Sequence, residues 1–279
     1  MTPFTVGICA RNAERTLGAV LEAVHRQDPL PTHLIVVDDG STDHTLAIAG
    51  RAAGVEVVHF ERNRGLAAAR NAVLRQTSTP FLIFLDADAV PHEGCFQALL
   101  EPLADDNVAA VGGRGMENRW DNAAQQWRAL YTAQDHGMER LDDDWMIMGL
   151  CCAFRVEDLR DAGGFDESFR EAGEDADISI RLREAGRKLV YNPAAVVHHE
   201  AGGDFSDIQR QAFRHSRQAT RALLKNGLSP LDYWIHSTGH VVRSTLRELA
   251  DGHLAMAGVG LANFTARTAG FAAGTVLNR

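Results

Sequence analysis

The chain of 279 residues has few of the features that mark nucleic-acid-binding, membrane-spanning or secreted proteins. Its formal net charge of −9 argues against general nucleic-acid binding, because such proteins need a cationic surface to displace counterions from phosphates. The sequence contains no uninterrupted apolar run of about 18 residues, which a spanning helix needs. It has no basic and apolar leader at its N-terminus, and its four cysteines show no CxxC spacing. We therefore expect a reduced, cytoplasmic compartment and buried cysteines, with Cys151 and Cys152 pointing to opposite faces of a strand.

What the sequence does contain is an alternation of short β-branched runs and helical patterns over residues 1–112. This alternation predicts an α/β fold with a mostly parallel sheet flanked by helices, which serves as a nucleotide-binding half. The strands are expected at residues 4–10, 34–37, 55–60, 81–85 and 108–111. Ligands collect at the carboxyl ends of such strands, and the acidic motifs of this sequence fall there.

The second half of the chain is less regular. Residues 113–203 begin polar and aromatic and then include an apolar stretch, and we expect this segment to bind the acceptor. A helix is predicted over residues 175–185, followed by short strands near Leu189 and Val196. From residue 204 to residue 279 the pattern is largely helical, which predicts a helical C-terminal extension.

The first acidic motif is VVDDGSTD, residues 36–43, in which Asp38 and Asp39 leave a buried strand and enter a turn. A carboxylate at this place can accept hydrogen bonds from a base N–H or from ribose hydroxyls. The alternative is that both residues only cap the following helix. On its own the motif is moderately specific for nucleotide binding.

The second motif is FLIFLDADAV, in which Asp86 and Asp88 lie two residues apart on an extended segment. Both side chains can therefore face the same side at a strand end. Paired carboxylates suit Mg²⁺ or Mn²⁺, and such a cation neutralises the charge that develops on a departing diphosphate. A lone D-x-D is common by chance, but this one follows an apolar strand and comes after the DDGS turn.

The third motif is EAGEDADISIRLREAG, residues 171–186, where Glu174 and Asp175 precede a helix. Transfer of a group from a diphosphate to a hydroxyl needs a base that takes the proton of the attacking hydroxyl, and Asp175 is the candidate, with Glu174 next. The alternative is an acidic helix N-terminus that is favoured by the helix dipole alone.

Seven blocks, in one order, resemble a family-two glycosyltransferase with the GT-A fold over residues 4–200. The blocks are VGICARN, VVDDGSTD, RNRGLAAARN, FLIFLDADAV, GLCCAFRVEDLRDAGGFDESF, GEDADISIRLREAG and NPAAVVHH. The resemblance implies metal-dependent transfer of a hexosyl-type sugar from a nucleotide-sugar donor, with inversion at the anomeric carbon. A single base and no second carboxylate nucleophile agree with inversion.

The same resemblance implies a role for each acidic residue. Asp39 would contact the nucleotide base and Asp38 would support it. Asp86 and Asp88 would hold the diphosphate through Mn²⁺ or Mg²⁺, and Asp175 would be the base. Since the N3–H of uracil or thymine can donate to a carboxylate, a UDP or dTDP donor is slightly favoured.

Four further residues are expected near the donor. Arg11 and Asn12 follow the first strand, and Arg70 and Asn71 open or line a helix in the block that begins near Gly65. For Asn71, a structural role in packing that helix is an equal alternative.

The pair His198 and His199 follows a short strand, and in relatives a histidine at this place completes the metal site. Imidazole is a competent third ligand for Mn²⁺. Counting six residues from Pro193 selects His199 as that ligand, although the sequence does not decide between the two histidines. A structural role or an acceptor contact is the alternative.

The tail carries a basic stripe at helical spacing, with an apolar stripe on another face. The basic residues are Arg210, Arg214, Arg217, Arg221 and Lys225, and the apolar residues are Ile208, Ala212, Ala219 and Leu223. In an acidic protein this combination predicts a peripheral contact with the inner face of a membrane, where anionic headgroups attract cations. A solvated basic face packed back on the domain is the alternative.

The predicted function is transfer of a sugar to a cell-surface glycan or a lipid-linked acceptor, without nucleic acid as a partner. A sugar-1-phosphate nucleotidyltransferase is one alternative, but it needs a glycine-rich basic loop that GICARNAERT does not supply. A non-catalytic carbohydrate-binding protein is the other. Trp127 and Trp145 are expected either to stack on an acceptor sugar or to pack in the core.

Overall fold

The structure is a computed structural model that describes residues 2–118, 120–132, 134–200 and 202–276. The chain divides into two compact units. The first unit consists of Met1–Met116 and Gln134–Glu200, and the second of Glu117–Ala133 and Ala201–Arg279.

The first unit is built on an eight-stranded sheet. Its strands are β1 (Phe4–Ala10), β2 (His33–Asp38), β3 (Val55–His59), β4 (Phe81–Asp86), β5 (Ala89–Pro91), β6 (Val108–Glu117), β7 (Cys151–Arg155) and β8 (Lys188–His199), in the spatial order β3-β2-β1-β4-β7-β6-β8-β5. The strands β3, β2, β1 and β4 run parallel, while β7 pairs antiparallel with β4 and β6, and β5 with β8. Its helices are α1 (Leu17–His25), α2 (Thr45–Arg51), α3 (Leu66–Gln76), α4 (Cys95–Leu100), α6 (Val156–Asp161) and α7 (Glu174–Glu184), and a 3₁₀ turn spans Glu101–Ala104.

Periodicity located this sheet well, because its strands are short apolar runs bounded by turns. The five strands expected in residues 1–112 are confirmed, most of them within one residue of the predicted ends, although β6 extends to Glu117. The two short strands predicted near Leu189 and Val196 are instead the single strand β8. The chain stays extended past the proline in its middle, where the side chain of Asn192 accepts a hydrogen bond from the Ala194 amide.

The sheet separates two apolar clusters, one on each face. Ile8, Leu85 and Cys151 belong to the first cluster, and Phe84 and Cys152 belong to the second. The expectation that the two adjacent cysteines point to opposite faces is therefore confirmed. All four cysteines are free thiols.

The second unit is helical and consists of α5 (Ala123–Tyr131), α8 (Phe205–Lys225), α9 (Leu231–Ala250) and α10 (Leu254–Val276). The fully buried Trp127 lies in its core with Ile208, Val241 and Val259, so core packing, not sugar stacking, accounts for this tryptophan. This packing also assigns residues 117–133 to the helical unit, whereas the sequence analysis placed them in the acceptor-binding segment.

Two further features of the helices bear on the sequence-based expectations. Helix α8 begins with a capping box in which Asp204 accepts from the Ser206 and Asp207 amides. Among the described residues, no helix combines the length and the apolar character needed to cross a membrane.

Candidate active site

Three parallel strands bring the acidic motifs to one edge of the sheet. β1 lies between β2 and β4, and in the register Ala10 is paired with Asp38 while Cys9 is paired with Asp86. Both aspartates therefore end their strands beside the end of β1. This is the edge where open α/β sheets bind ligands.

The first pair of carboxylates faces protein. The fully buried Asp38 accepts from His59 Nδ1 at 2.8 Å and from the Ser41 amide at 3.4 Å. Asp39 is also buried, and its two oxygens accept from the backbone amides of Arg64 (2.6 Å) and Gly65 (2.9 Å). The carboxylate of Asp39 thus fixes the loop that leads into α3.

Asn12 fixes the neighbouring turn. Its side-chain carbonyl accepts from the Thr42 amide at 2.9 Å, and its own amide donates to Ser41 Oγ at 3.0 Å. The residue has a φ of 51°, in the left-handed region that asparagine tolerates. Arg11 beside it is exposed at the mouth of the same edge.

The buried Arg70 of α3 joins the second and third acidic motifs. Its guanidinium donates to Glu174 Oε1 and to the Gly149 carbonyl, both at 2.8 Å, and lies 3.4 Å from Asp86 Oδ1. Only 2% of the Arg70 side chain is exposed, so its charge is satisfied inside the protein. A Cβ atom at Gly149 would lie 2.5 Å from an Arg70 nitrogen, which explains a glycine at this position.

Two carboxylates around Arg70 have raised pKa values. Burial raises the pKa of Glu174 to about 7, with Arg70 opposing the shift and Asp175 adding to it. Glu174 Oε2 is buried and has no hydrogen-bond partner, which also favours a protonated carboxyl. Removal from water likewise raises the pKa of Asp86 to about 6, opposed by Arg70 and reinforced by Asp88. The Asp86 side chain nevertheless keeps 32% of its surface open to solvent.

Asp175 differs from its neighbour Glu174 in being only partly buried. Its Oδ2 accepts from the Gly149 amide at 3.3 Å, while its Oδ1 accepts from the Ala176 amide at 2.8 Å. The Gly149 residue therefore binds Arg70 through its carbonyl and Asp175 through its amide. Asp86 and Asp175, which are 89 positions apart in the sequence, are brought into one site by this arrangement.

The remaining residues predicted to bind metal lie where β5 meets β8. Asp88 Oδ2 is 3.5 Å from His199 Nε2, and 37% of the Asp88 side chain is exposed. His198 points elsewhere and bonds through Nε2 to His92 Nε2, and its pKa is lowered by burial and by that imidazole. Over the described ranges, no group of three or more His, Cys, Asp or Glu side chains is placed to hold a metal ion.

Gly149 and His59 contribute to this site and were missed by the sequence analysis. Gly149 is the first residue of the family-like block GLCCAFRVEDLRDAGGFDESF. Nothing in its local sequence shows that an arginine 79 positions away binds its carbonyl. His59 ends β3 and reaches Asp38 across the sheet. Asn71 has the structural role, since its side chain bonds to both backbone groups of Phe165.

Comparison with known proteins identifies the family and the fold. Residues 5–163, more than half of the chain, match the family described as "Glycosyl transferase family 2". The chain belongs to glycosyl transferase family 2. The matched range contains the DDGS turn and the D-x-D motif, and ends just before α7.

The curated relatives include two named glycosyltransferases. The chain is 35% identical over 189 residues to the pre-mycofactocin glycosyltransferase of Mycobacterium tuberculosis, which covers 64% of this chain and 40% of that protein. It is 26% identical over 209 residues to the O-antigen chain rhamnosyltransferase RfbN of Salmonella typhimurium. This match covers 70% of this chain and 66% of that protein. The chain thus spans less than half the length of the first of these relatives.

Solved structures in the same class share the fold. A mannosyltransferase from Pyrobaculum calidifontis, in complex with GDP-Man and Mn²⁺, superposes with a TM-score of 0.68 at 20% identity, covering 99% of this chain and 87% of that one. GalNAc-T7 with UDP, GalNAc and Mn²⁺ has a TM-score of 0.61 at 19% identity, covering 80% and 48%. The expected GT-A fold of this family-2 chain, a mostly parallel sheet flanked by helices with helices at the C-terminus, is confirmed.

Proposed function

We propose that the chain is an inverting glycosyltransferase that moves a sugar from a nucleoside-diphosphate sugar to a hydroxyl group of a glycan or lipid-linked acceptor. One observation carries the proposal. Arg70 and Gly149 join the carboxylate of Asp86, at the edge where the donor would bind, to Asp175, the candidate base. A base beside the diphosphate site is the arrangement that a single displacement needs.

In this proposal, Asp175 takes the proton of the acceptor hydroxyl as that oxygen attacks the anomeric carbon. Asp175 is only partly buried, which leaves it accessible to an acceptor, and the Gly149 amide keeps the carboxylate oriented. Glu174 is enclosed and bound to Arg70, so we assign it to positioning and leave the base role to Asp175. One base and one displacement invert the configuration at the anomeric carbon.

The residues that would hold a divalent cation are Asp86, Asp88 and His199. Asp88 and His199 already lie 3.5 Å apart, and hard oxygen ligands with one imidazole suit Mn²⁺. Mg²⁺ and Mn²⁺ are commonly bound through one or two carboxylates while substrate phosphates complete the shell, so a closed protein cage is not required. When bound, the cation would offset the charge of the departing nucleoside diphosphate. Both solved neighbours named above contain Mn²⁺, which supports this assignment.

The assignment of Arg70 changes from a donor contact to a positioning residue. Its donors are used by Glu174, Gly149 and Asp86, and its side chain is closed to solvent. Arg11 remains the exposed cation at the edge of the sheet and is the better candidate for a direct donor contact, with Asn12 shaping the turn beside it.

The nucleotide is proposed to lie over the loop that Asp39 fixes, with Asp38 behind it. Each Asp39 oxygen accepts one backbone hydrogen bond and retains a second lone-pair direction, which an N3–H of uracil or thymine could use. This supports a UDP or dTDP donor. The neighbours contain GDP-Man and UDP, so the fold accommodates more than one base. The names of the relatives support a glycan or saccharide-bearing acceptor for this chain as well.

The proposal is tested by nucleotide release. Purified chain is incubated with Mn²⁺ and a panel of UDP, dTDP and GDP sugars, and the released nucleoside diphosphate is measured with and without chelator. We expect release from at least one donor that chelation abolishes and that Asp88→Ala abolishes as well. The matched control is Asp142→Ala, an exposed carboxylate paired with Arg140 outside the site, which should leave release unchanged.

Two outcomes would contradict the proposal. The first is a folded chain that releases no nucleotide from any donor with any acceptor and whose melting temperature does not change with any nucleotide. A ligand that binds only the folded state raises its stability, so a bound nucleotide would be detected. The other is full activity of Asp88→Ala, or activity that survives chelation, which would remove the metal assignment.

A further inference from the structure

Strand β8 ends on two adjacent histidines whose side chains alternate between the two sides of the sheet. His199 lies 3.5 Å from Asp88 and belongs to the proposed cation site, whereas His198 bonds through Nε2 to His92 Nε2. The strand register explains the second pairing, because His198 is paired with Val90 of β5. His92 comes two positions after Val90 and therefore lies on the same side as His198. The pair of His92 and His198 thus uses none of the residues of the D-x-D motif.

The two imidazole rings of this pair converge at the protein surface. Their Nε2 atoms are 2.5 Å apart, their centroids are 4.5 Å apart, and their planes are tilted by 54°. His92 is exposed and His198 is partly buried. The Nδ1 atom of His198 is buried and has no hydrogen-bond partner among the described residues. Nε2 is therefore the nitrogen through which the His198 ring can meet a ligand.

A hydrogen bond between the two rings uses only part of this arrangement. One ring must carry a proton on Nε2 while the other presents a lone pair there, so one of the two lone pairs is unused. If the donating ring moves its proton to Nδ1, both Nε2 lone pairs are directed into the same space. Two imidazoles in this state form a bidentate nitrogen ligand for a metal ion.

The chemistry of these two nitrogens selects a class of cation. Imidazole suits Zn²⁺ and Cu²⁺, whereas Mg²⁺ and Mn²⁺ are suited by carboxylate, carbonyl and water oxygens. A tetrahedral Zn²⁺ with Zn–N bonds of about 2.0–2.1 Å holds two nitrogens about 3.3 Å apart. The two Nε2 atoms would therefore have to separate by about 0.8 Å, which a small rotation of the exposed His92 ring can supply.

We propose that His92 and His198 bind Zn²⁺ or Cu²⁺ at a site distinct from that of Asp86, Asp88 and His199. Over the described ranges no third His, Cys, Asp or Glu side chain completes a cluster, so water would fill the remaining positions. With two protein ligands in place of four, the dissociation constant for Zn²⁺ should be on the order of 1–100 μM. This site does not depend on the proposed transfer reaction, and each can fail without the other.

A cation bound to this pair would join β5 to β8. Strand β5 has only three residues and is the last strand in the order of the sheet, next to β8. It begins directly after the D-x-D motif, so a cation that holds the end of β5 also restrains the chain that presents Asp88. Because the two histidines are 106 positions apart, they meet only in the folded chain. Binding should therefore raise the stability of the folded state.

Zinc binding to the full, untagged chain tests the proposal. Zn²⁺ is titrated by calorimetry at a pH where free imidazole is neutral, with excess Mg²⁺ present for the oxygen-rich ligands. We expect His92→Gln/His198→Gln to bind Zn²⁺ at least tenfold more weakly than wild type. The matched control His44→Gln/His236→Gln changes two exposed histidines of other elements and should bind like wild type. Asp88→Ala removes a ligand of the other site and should keep this binding event.

A spectroscopic measurement identifies the ligands independently of the affinity. With Cu²⁺ as the probe, electron paramagnetic resonance of wild type should show splitting from two nitrogens that the His92→Gln/His198→Gln variant lacks. Circular dichroism verifies that each variant folds, and Zn²⁺ should raise the melting temperature of wild type but not of this variant.

Three outcomes would overturn the proposal. The first is a wild type that binds no Zn²⁺, and the second is equal zinc affinity in wild type and in His92→Gln/His198→Gln. The third is zinc binding that Asp88→Ala abolishes and the double histidine variant retains, which would assign the cation to the carboxylates of the other site.

Discussion

The carboxylates that end β2 and those that follow β4 lie at one edge of the sheet, but they meet different surroundings. Asp38 and Asp39 are turned into the protein, where their oxygens accept hydrogen bonds from His59 and from backbone amides. Asp86 and Asp88 keep about a third of their side-chain surface in water. The adjacent aspartates and the D-x-D pair therefore have different roles. The first pair fixes the loops over which the nucleotide is proposed to lie, and the second pair is more exposed to solvent, where the cation and the diphosphate are proposed to bind.

The same division recurs within the third motif, and it gives the largest expected effect. Asp175 is partly buried and Glu174 is fully enclosed, so Asp175→Asn should lower turnover by about 10²- to 10⁴-fold with donor binding retained. Turnover and a nucleotide thermal shift are measured together. Glu184→Gln, an exposed carboxylate on the same helix, is the control and should act like wild type. Turnover of Asp175→Asn at the wild-type rate would transfer the base role to another residue.

Arg70 is the centre of the enclosed group, and its removal should give the largest loss of stability. Arg70→Met leaves Glu174 and Asp86 without their buried cation, so we expect the free energy of unfolding to fall by about 3–5 kcal/mol. Arg64→Met breaks an exposed pair with Glu167 and should cost about 1 kcal/mol or less. Urea denaturation measures both. Equal losses in the two variants would show that burial does not distinguish these ion pairs.

The two strand-end motifs can be compared directly by truncation. Asp39→Ala removes two hydrogen bonds from backbone amides to a carboxylate and should cost about 2–4 kcal/mol of stability. Asp88→Ala should change stability by about 1 kcal/mol or less, because 37% of its side chain is exposed to water, yet it should lose transfer activity. A greater loss of stability in Asp88→Ala than in Asp39→Ala would reverse the comparison.

The smallest expected effect is a change in the pH dependence of stability. Since burial raises the pKa of Glu174 from 4.5 to about 7, the folded state holds a proton that the unfolded state has released between these values. The stability associated with this group is therefore fully present below about pH 4.5 and is lost as the pH rises through 7. Glu174→Gln cannot titrate, so its stability should decline less over this range than that of wild type.

Urea denaturation in the presence of chelator, at half-unit steps of pH, measures that difference. Asp86 titrates in both proteins, so a pH dependence that belongs to Asp86 is present in both curves. Parallel curves for wild type and Glu174→Gln would show that Glu174 is already ionised throughout the range and that Arg70 compensates its charge fully.

Local patterns in the sequence were sufficient for the parallel strands of the sheet and for the acidic motifs, but not for β5, β7 or the full length of β8. Strand periodicity located β1 to β4, and the positions of Asp38 and Asp86 at strand ends followed from it. The direction of each side chain beyond the strand ends could not be predicted from the sequence. Arg70 meets Glu174 across 104 positions, and only the folded chain shows that its donors are used inside the protein. Trp127 was undecided for the same reason, because its partners lie on helices distant in sequence.

Gly149 limits any redesign of this family-2 chain. Mutant libraries designed for a new acceptor would vary the residues around Asp175. Gly149, a small residue just before β7, would be an obvious position to include. A Cβ atom there would lie 2.5 Å from the Arg70 guanidinium, so any side chain would force this group to shift from the position in which it binds Glu174 and Asp86. Libraries for this scaffold should therefore keep position 149 fixed and place their diversity on the solvent side of Asp175.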